Sequence, residues 1–490
     1  MNTAPEVQFV ETDIFPSPLH QDNKNMTTRR KFLRSSALGV AALATTPAIA
    51  ETLKKTSENQ VDDRLRAGIA REIITPKLGG ILLGYGSDKG STEVNDDLTV
   101  TALAIENGKS KIILMSITVC LISNELIPKL QTLCGEAAGV PASNVILSAT
   151  HTHSGPDTMD CEDPKYCNEI FIPRCVAAAK ASVKEMKPVT VGLATTESRV
   201  GINRRQLLPD DRVILGQNPW GPYDSEMTVI SFKGKDGKSF ANIIHCTAHP
   251  TAAGTNTEIS RDWPGVMIDR LEKESGAMTM FVNGMCGDVA PRIPNGGSDG
   301  GRPGNIQYAN EIGSLAALDA IRAYKDIREF RDEEMSVATG VISIPHAPLI
   351  PLDEARKELA SLEAGRQVRF TWAAKRVYQI NIVLHEKGQT GESFFTYNQT
   401  LVKIGPIVLV PVPFEVSCEI GMRLRAYSKY GHTLALGCTN GYNSYLPTRD
   451  QIPRGGYEVD RFLWSGQRQL VDNADLHLIN ENLKLMEKLM

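Results

Sequence analysis

The 490-residue sequence lacks several features that would define its class outright. No uninterrupted apolar run reaches the ~18 residues of a membrane-spanning helix. No block of five or more basic residues occurs, and 53 Lys and Arg against 57 Asp and Glu leave a net charge of -4. A protein that grips nucleic acid by its phosphates needs a basic surface, so no nucleic-acid partner is expected. The nine cysteines are scattered and include no CxxC, which excludes a disulfide miniprotein and a cysteine zinc ribbon. No serine nucleophile elbow closes an apolar run, so a Ser-His-Asp hydrolase is disfavoured. There is no internal repeat and no low-complexity linker. What is present is average for a folded chain: 41% hydrophobic and 22% charged residues.

The first fifty residues read as an address. Thr28-Arg-Arg-Lys-Phe-Leu33 precedes a small apolar stretch, Ala37 to Ala44, and then Ala48-Ile-Ala50. A basic start, a short apolar middle and an A-x-A site are the parts of a bacterial export signal, and the paired arginines resemble the twin-arginine type. Residues 1-50 are therefore expected to be a leader cleaved after Ala50, with Met26 as an alternative start. The mature protein is expected in the periplasm or outside, where Cys161 and Cys167 are candidates for a disulfide.

Beyond Ala50, β-like apolar runs alternate with helical patterns, which predicts an α/β fold of mixed β-sheets flanked by helices. Ala102–Glu106 with Lys111–Thr118, and Met227–Phe232 with Ser239–Ile244, read as hairpins around Asn-Gly-Lys-Ser and Lys-Asp-Gly. Helical spacing covers Pro264–Glu274, Ile306–Tyr324, Leu352–Glu363, Glu415–Tyr427 and Ala474–Leu489. Five apolar runs stop at residues able to do chemistry. Val145 to Thr150 leads to His151 and His153; Ala241 to Ile244 leads through His245 to His249. Met280 to Val282 leads to Asn283 and Asp288, Ile407 to Val410 leads to Glu415, and Leu434 to Leu436 leads to Asn440 and Tyr445. Ligands of open α/β sheets bind beyond the carboxyl ends of strands, so these five endings are expected to share one cleft.

His151 and His153 are two apart, so on an extended chain both imidazoles point the same way. His245 and His249 are four apart, ~13 Å on a strand, too far to share one ion. His249, at the end of the run, is retained and His245 is read as a core histidine. Glu415 fits either a metal ligand or a first-turn helix carboxylate. Three N/O ligands with an open position would suit a catalytic zinc.

Ser148-Ala-Thr-His-Thr-His-Ser-Gly-Pro156 resembles the signature of the neutral (alkaline, non-lysosomal) ceramidases. The resemblance continues in order through Asn203-Arg204, His249-Pro-Thr251, Gly287-Asp288-Val289, Glu415, and Tyr445 with Tyr457, over about residues 65-460. It implies one zinc per chain held by His151, His249, Glu415 and Tyr445. It implies catalytic roles for His153 at the reacting amide, for Arg204 and Tyr457 at the tetrahedral intermediate, and for Asp288 of the Gly-Asp-Val motif. Two departures matter. Ala290 stands where the family has a serine beside the zinc, and no C-terminal immunoglobulin-like domain is expected after the catalytic domain.

The expectation is one zinc hydrolase domain over 51-490, cleaving an N-acyl amide of a lipid or amino-sugar, with a membrane surface or a glycan as possible substrate carrier. The alternatives are a carbohydrate hydrolase or lyase on the same scaffold, and a non-catalytic binding protein that keeps the metal site.

Overall fold

Strands covered on both faces need apolar residues at nearly every position, and the runs at 99–106, 111–117 and 278–283 have that character. In the computed structural model, which describes residues 64–85, 90–159, 163–293 and 305–489, these runs lie inside an eight-stranded mixed sheet. Its order is β12 (Met278–Asn283), β10 (Ser239–Cys246), β9 (Glu226–Gly234), β6 (Lys187–Glu197), β1 (Arg66–Ile73), β3 (Thr99–Glu106), β4 (Lys111–Ile117) and β5 (Val145–Ala149). The outer pairs β12/β10 and β4/β5 are parallel, and the pairs between them are antiparallel. A second sheet has the order β14 (Met335–Pro345), β15 (Phe394–Ile404), β16 (Ile407–Pro411) and β18 (His432–Leu436). The described residues all belong to one compact unit, Val61–Met490.

Period-two alternation assigns each face. Leu103, Ile105, Ile112, Leu114, Met280 and Val282 of the large sheet pack against Val402, Ile404, Leu409, Leu434 and Leu436 of the small one. On the opposite face, Ala102, Ala104, Ile113, Met115 and Leu147 meet α1 (Leu126–Ala138) and α2 (Ile172–Lys184). Further along, Val229, Ile244 and Phe281 meet α3 (Asp262–Ser275) and α4 (Ile306–Lys325). The outer face of the small sheet, Val408 and Val410, is covered by α7 (Cys418–Tyr427), α8 (Tyr457–Leu463) and α9 (Ala474–Met486). The order of layers is helices, sheet, sheet, helices. A helical pair, α5 (Leu352–Glu363) and α6 (Thr371–Glu386), is inserted between β14 and β15. Short ribbons complete the fold: β13 (Val289–Pro291), β7 (Gly201–Leu207) and β8 (Val213–Asn218) in one sheet, β17 (Glu415–Val416) with β19 (Tyr445–Leu446), and β2 (Glu93–Val94) with β11 (Glu258–Ile259).

Both expected hairpins form, β3/β4 with Glu106 opposite Lys111 and β9/β10 with an irregularity near Ser239. Four of the five expected helices appear within a few residues of their predicted ends. The fifth starts later than its pattern. Glu415 and Val416 are strand, because each pairs in parallel with Tyr445 and Leu446, and the helix opens only at Cys418. Helices α1, α2, α6 and α8 were not read from the sequence. No helix among the described residues is long and apolar enough to cross a membrane. The expected leader lies outside the described residues.

Candidate metal and catalytic centre

The five strand ends are stitched to one another. The Asn283 amide after β12 donates to Thr150 O beyond β5 and to Ala248 O beyond β10. Beyond β18, Gly437 N donates to Asn283 O, Cys438 N to Phe414 O, and Ala149 N returns to Cys438 O. The strand ends come together as expected, and the seam between the two sheets carries the cluster.

Three ligand atoms meet there. His151 donates from Nδ1 to Cys120 O at 2.8 Å, and His249 donates from Nδ1 to Val289 O at 2.9 Å. A carbonyl only accepts, so both Nδ1 atoms carry protons and each ring turns its Nε2 inward. Both Nε2 atoms lie 3.2 Å from Glu415 Oε2. All three residues are buried, His249 completely, and their ligand atoms fall within 4.8 Å of one another. Three lone-pair atoms crowded together in a dry site repel unless a proton or a cation sits between them. Zinc bonds of roughly 2.0–2.1 Å at tetrahedral angles set ligand atoms about 3.3 Å apart, close to the two Nε2–Oε2 separations here. Burial alone would raise the Glu415 carboxyl, but the imidazoles beside it, His151 foremost, hold it well below the usual carboxylate range. Burial and then Arg204 hold His249 below the ordinary imidazole value, favouring its neutral, ligating form.

His153 joins them, with Nε2 3.5 Å from His151 Nε2. The extended-chain argument for this pair is corrected: His151 has a left-handed backbone, φ 73°, and neither histidine is in a strand. The rings converge because the chain turns between them, and their planes cross at 86°. Gly84 closes over His153. At φ 129° it adopts a backbone that side chains avoid, and a Cβ there would stand 2.4 Å from the His153 ring. His245 is the core histidine expected, accepting no role here and donating from Nε2 to Ala435 O at 3.0 Å.

Tyr445 sits opposite Glu415 in the β17/β19 register, so the two side chains share a face. Its hydroxyl accepts from Arg204 Nη2 at 3.0 Å, and burial, then Glu415, push the phenol well above its ordinary pKa. Arg204 is 1% exposed and donates from Nε to Glu458 Oε1 at 2.8 Å. Arg205 reaches the other oxygen of Glu458 at 2.7 Å. Consecutive strand residues normally face opposite ways; a register shift between Asn203 and Arg205 lets both guanidiniums reach one carboxylate. Tyr457 packs edge-on against Tyr445, with ring centroids 5.5 Å apart.

Asp288 is not among the converging groups. Its Oδ1 accepts from Cys418 N at 2.8 Å and its Oδ2 from Gln451 and Asn203 at 3.0 and 3.3 Å, while its carbonyl accepts from Arg204 N. It fastens β7, β13 and α7 together rather than facing the histidines. Ala290, buried opposite Ile202, directly follows Val289, the residue that orients His249. Glu458 had not been singled out in the sequence; its position beside Tyr457 was the available signal. Cys167 is disulfide-bonded, the other described cysteines are free and buried, and Cys161 lies outside the described residues.

No family model matches the sequence. Among solved structures, the chain is similar to neutral ceramidase from Pseudomonas aeruginosa, with a TM-score of 0.66 over 87% of this chain and 75% of that one at 20% identity. It is similar also to a ceramidase complexed with C2, with a TM-score of 0.63 over 87% and 76% of the two chains at 19% identity. The fold is therefore that of these ceramidases, and His151, His249 and Glu415 form a candidate metal site within it.

Proposed function

We propose that the protein is an exported, zinc-dependent hydrolase of an N-acyl amide. The observation that carries this reading is the meeting of two imidazole Nε2 atoms at 3.2 Å from one carboxylate oxygen, each imidazole fixed by a carbonyl behind it. His151, His249 and Glu415 would hold the metal, with Tyr445 as a fourth donor. A bound zinc supplies Lewis acidity, polarising an acyl carbonyl and making water nucleophilic near neutral pH.

The remaining steps belong to the protein. Arg204, clamped by Glu458, presents its guanidinium toward the developing oxyanion, with Tyr457 beside it. His153, which burial and then the charges of His151 and His249 hold well below the ordinary imidazole pKa, is neutral and able to accept a proton. It passes that proton to the leaving nitrogen as the C–N bond breaks and the new C–O bond is retained, giving a carboxylic acid and an amine.

Ceramide is expected to be a weak substrate, because Ala290 stands where the resemblance to the ceramidases implies a serine hydroxyl. The test is metal-verified protein offered N-acyl lipids, N-acyl sugars and oligosaccharides, with amine, fatty acid and reducing ends read separately. Amine release by the wild type, lost in His151→Ala together with most of the bound zinc, supports the proposal. Reducing-end release alone, or full zinc content in His151→Ala, overturns it.

A further inference from the structure

Arg461 projects from α8 beside the site, and among the described residues no acid forms an ion pair with it. The guanidinium lies 4.8 Å from the Phe370 ring centroid, and Nη2 donates to the Tyr442 hydroxyl at 3.1 Å. Its Nε is buried with no acceptor among the described residues. The neighbouring acids are committed elsewhere. Asp460 pairs with Arg369 at 3.0 Å, and Glu458 takes both Arg204 and Arg205. Four guanidiniums on this wall therefore face two carboxylates. The wall is continuous with the candidate centre: Phe370 packs on Tyr457, Tyr457 on Tyr445, and Tyr445 pairs with Glu415.

An arginine set among aromatic rings, with a dry N–H left over, is a poor way to stabilise a fold and a good way to bind an anion. Desolvation by the rings strengthens its pull on a charged oxygen, and its planar edge matches a carboxylate. We propose that Arg461 is a specificity-determining residue that selects an N-acyl substrate bearing a carboxylate, in place of a neutral amino-alcohol lipid. This rests on the amide-hydrolase reading above and narrows its substrate class.

Two acids test it, each with a neutral counterpart: N-decanoylglycine against N-decanoylethanolamine, and N-decylsuccinamic acid against its methyl ester. The first pair places the charge on the amine side of the amide, the second on the acyl side. At least one acid is expected to exceed its neutral partner by about 30-fold in kcat/KM, the strength of a desolvated charge pair. Arg461→Gln should collapse that ratio at least tenfold, chiefly through KM, and Arg461→Lys should restore part of it. A purely structural role would lower acid and neutral substrate in proportion and leave the ratio alone. Equal turnover within both pairs, or an unchanged ratio in Arg461→Gln, overturns the assignment. If no amide is cleaved, the hydrolase reading fails by itself. Calorimetric binding of the same two acids to zinc-loaded wild type and Arg461→Gln then decides: tighter binding that depends on Arg461 sustains the anion site, and equal binding removes it.

Discussion

At Gly84 and His153 a missing side chain makes room for an imidazole ring. Replacing Gly84 by Ala forces a Cβ to 2.4 Å from the His153 ring at a backbone angle only glycine tolerates. The ring must shift, and displacement of a reacting group by about 1 Å costs on the order of 100-fold in rate. Gly84→Ala is therefore expected to lose about 10- to 100-fold in kcat while retaining its metal, read by elemental analysis beside turnover; loss of metal in step with activity would contradict it. His151, His249 and Glu415 were legible in the sequence because each closes an apolar run. Glu458 and Arg461 were not, since a charged residue in a short helix carries no mark of burial or of which partners it will meet. The left-handed turn at His151 was equally hidden: it is imposed by Val119 O and Cys120 O, which hold the backbone and ring of His151 from another strand end.

Elements place these groups through irregularities that periodicity cannot reveal. Strand β7 aims two successive arginines at Glu458 through its register shift, and Asn203 secures the kink. Its Oδ1 accepts the Arg205 N–H, and its Nδ2 donates to Pro222 O and Asp288. Asn203→Ala removes these bonds in a buried position, so stability should fall by about 1–3 kcal/mol in urea unfolding. Turnover should fall further than that loss explains, because Arg204 loses its aim. A variant equally stable, or destabilised at full turnover, would separate the kink from the site. The late start of α7 has a related cause. The sequence from Glu415 onward has helical spacing, yet two residues are drawn into a parallel bridge with β19, and tertiary pairing overrides local preference there. The hairpins were readable because their turns are local; the order of strands across two sheets was not, because it depends on contacts between distant segments.

For the molecule as a whole, the seam between the sheets joins chemistry drawn from positions 151, 249 and 415. The leader proposal belongs to this scale as well. Changing Arg29 and Arg30 to Lys should retain precursor in the cytoplasm, as followed by fractionation and immunoblotting; mature protein outside the cell would refute a twin-arginine route.

Because no short segment of the chain contains more than one of the three inward-facing ligands, an unfolded chain has nothing with which to discriminate among ions. Histidine and carboxylate bind several divalent metals, with copper strongest by intrinsic affinity. A chain that crosses the membrane unfolded would take whichever ion is free on the far side. Under the proposed route it crosses folded, with its centre already closed. The compartment in which this protein folds is then the one that chooses its metal, and the cytoplasm's tightly buffered ion supply becomes part of the enzyme's specification.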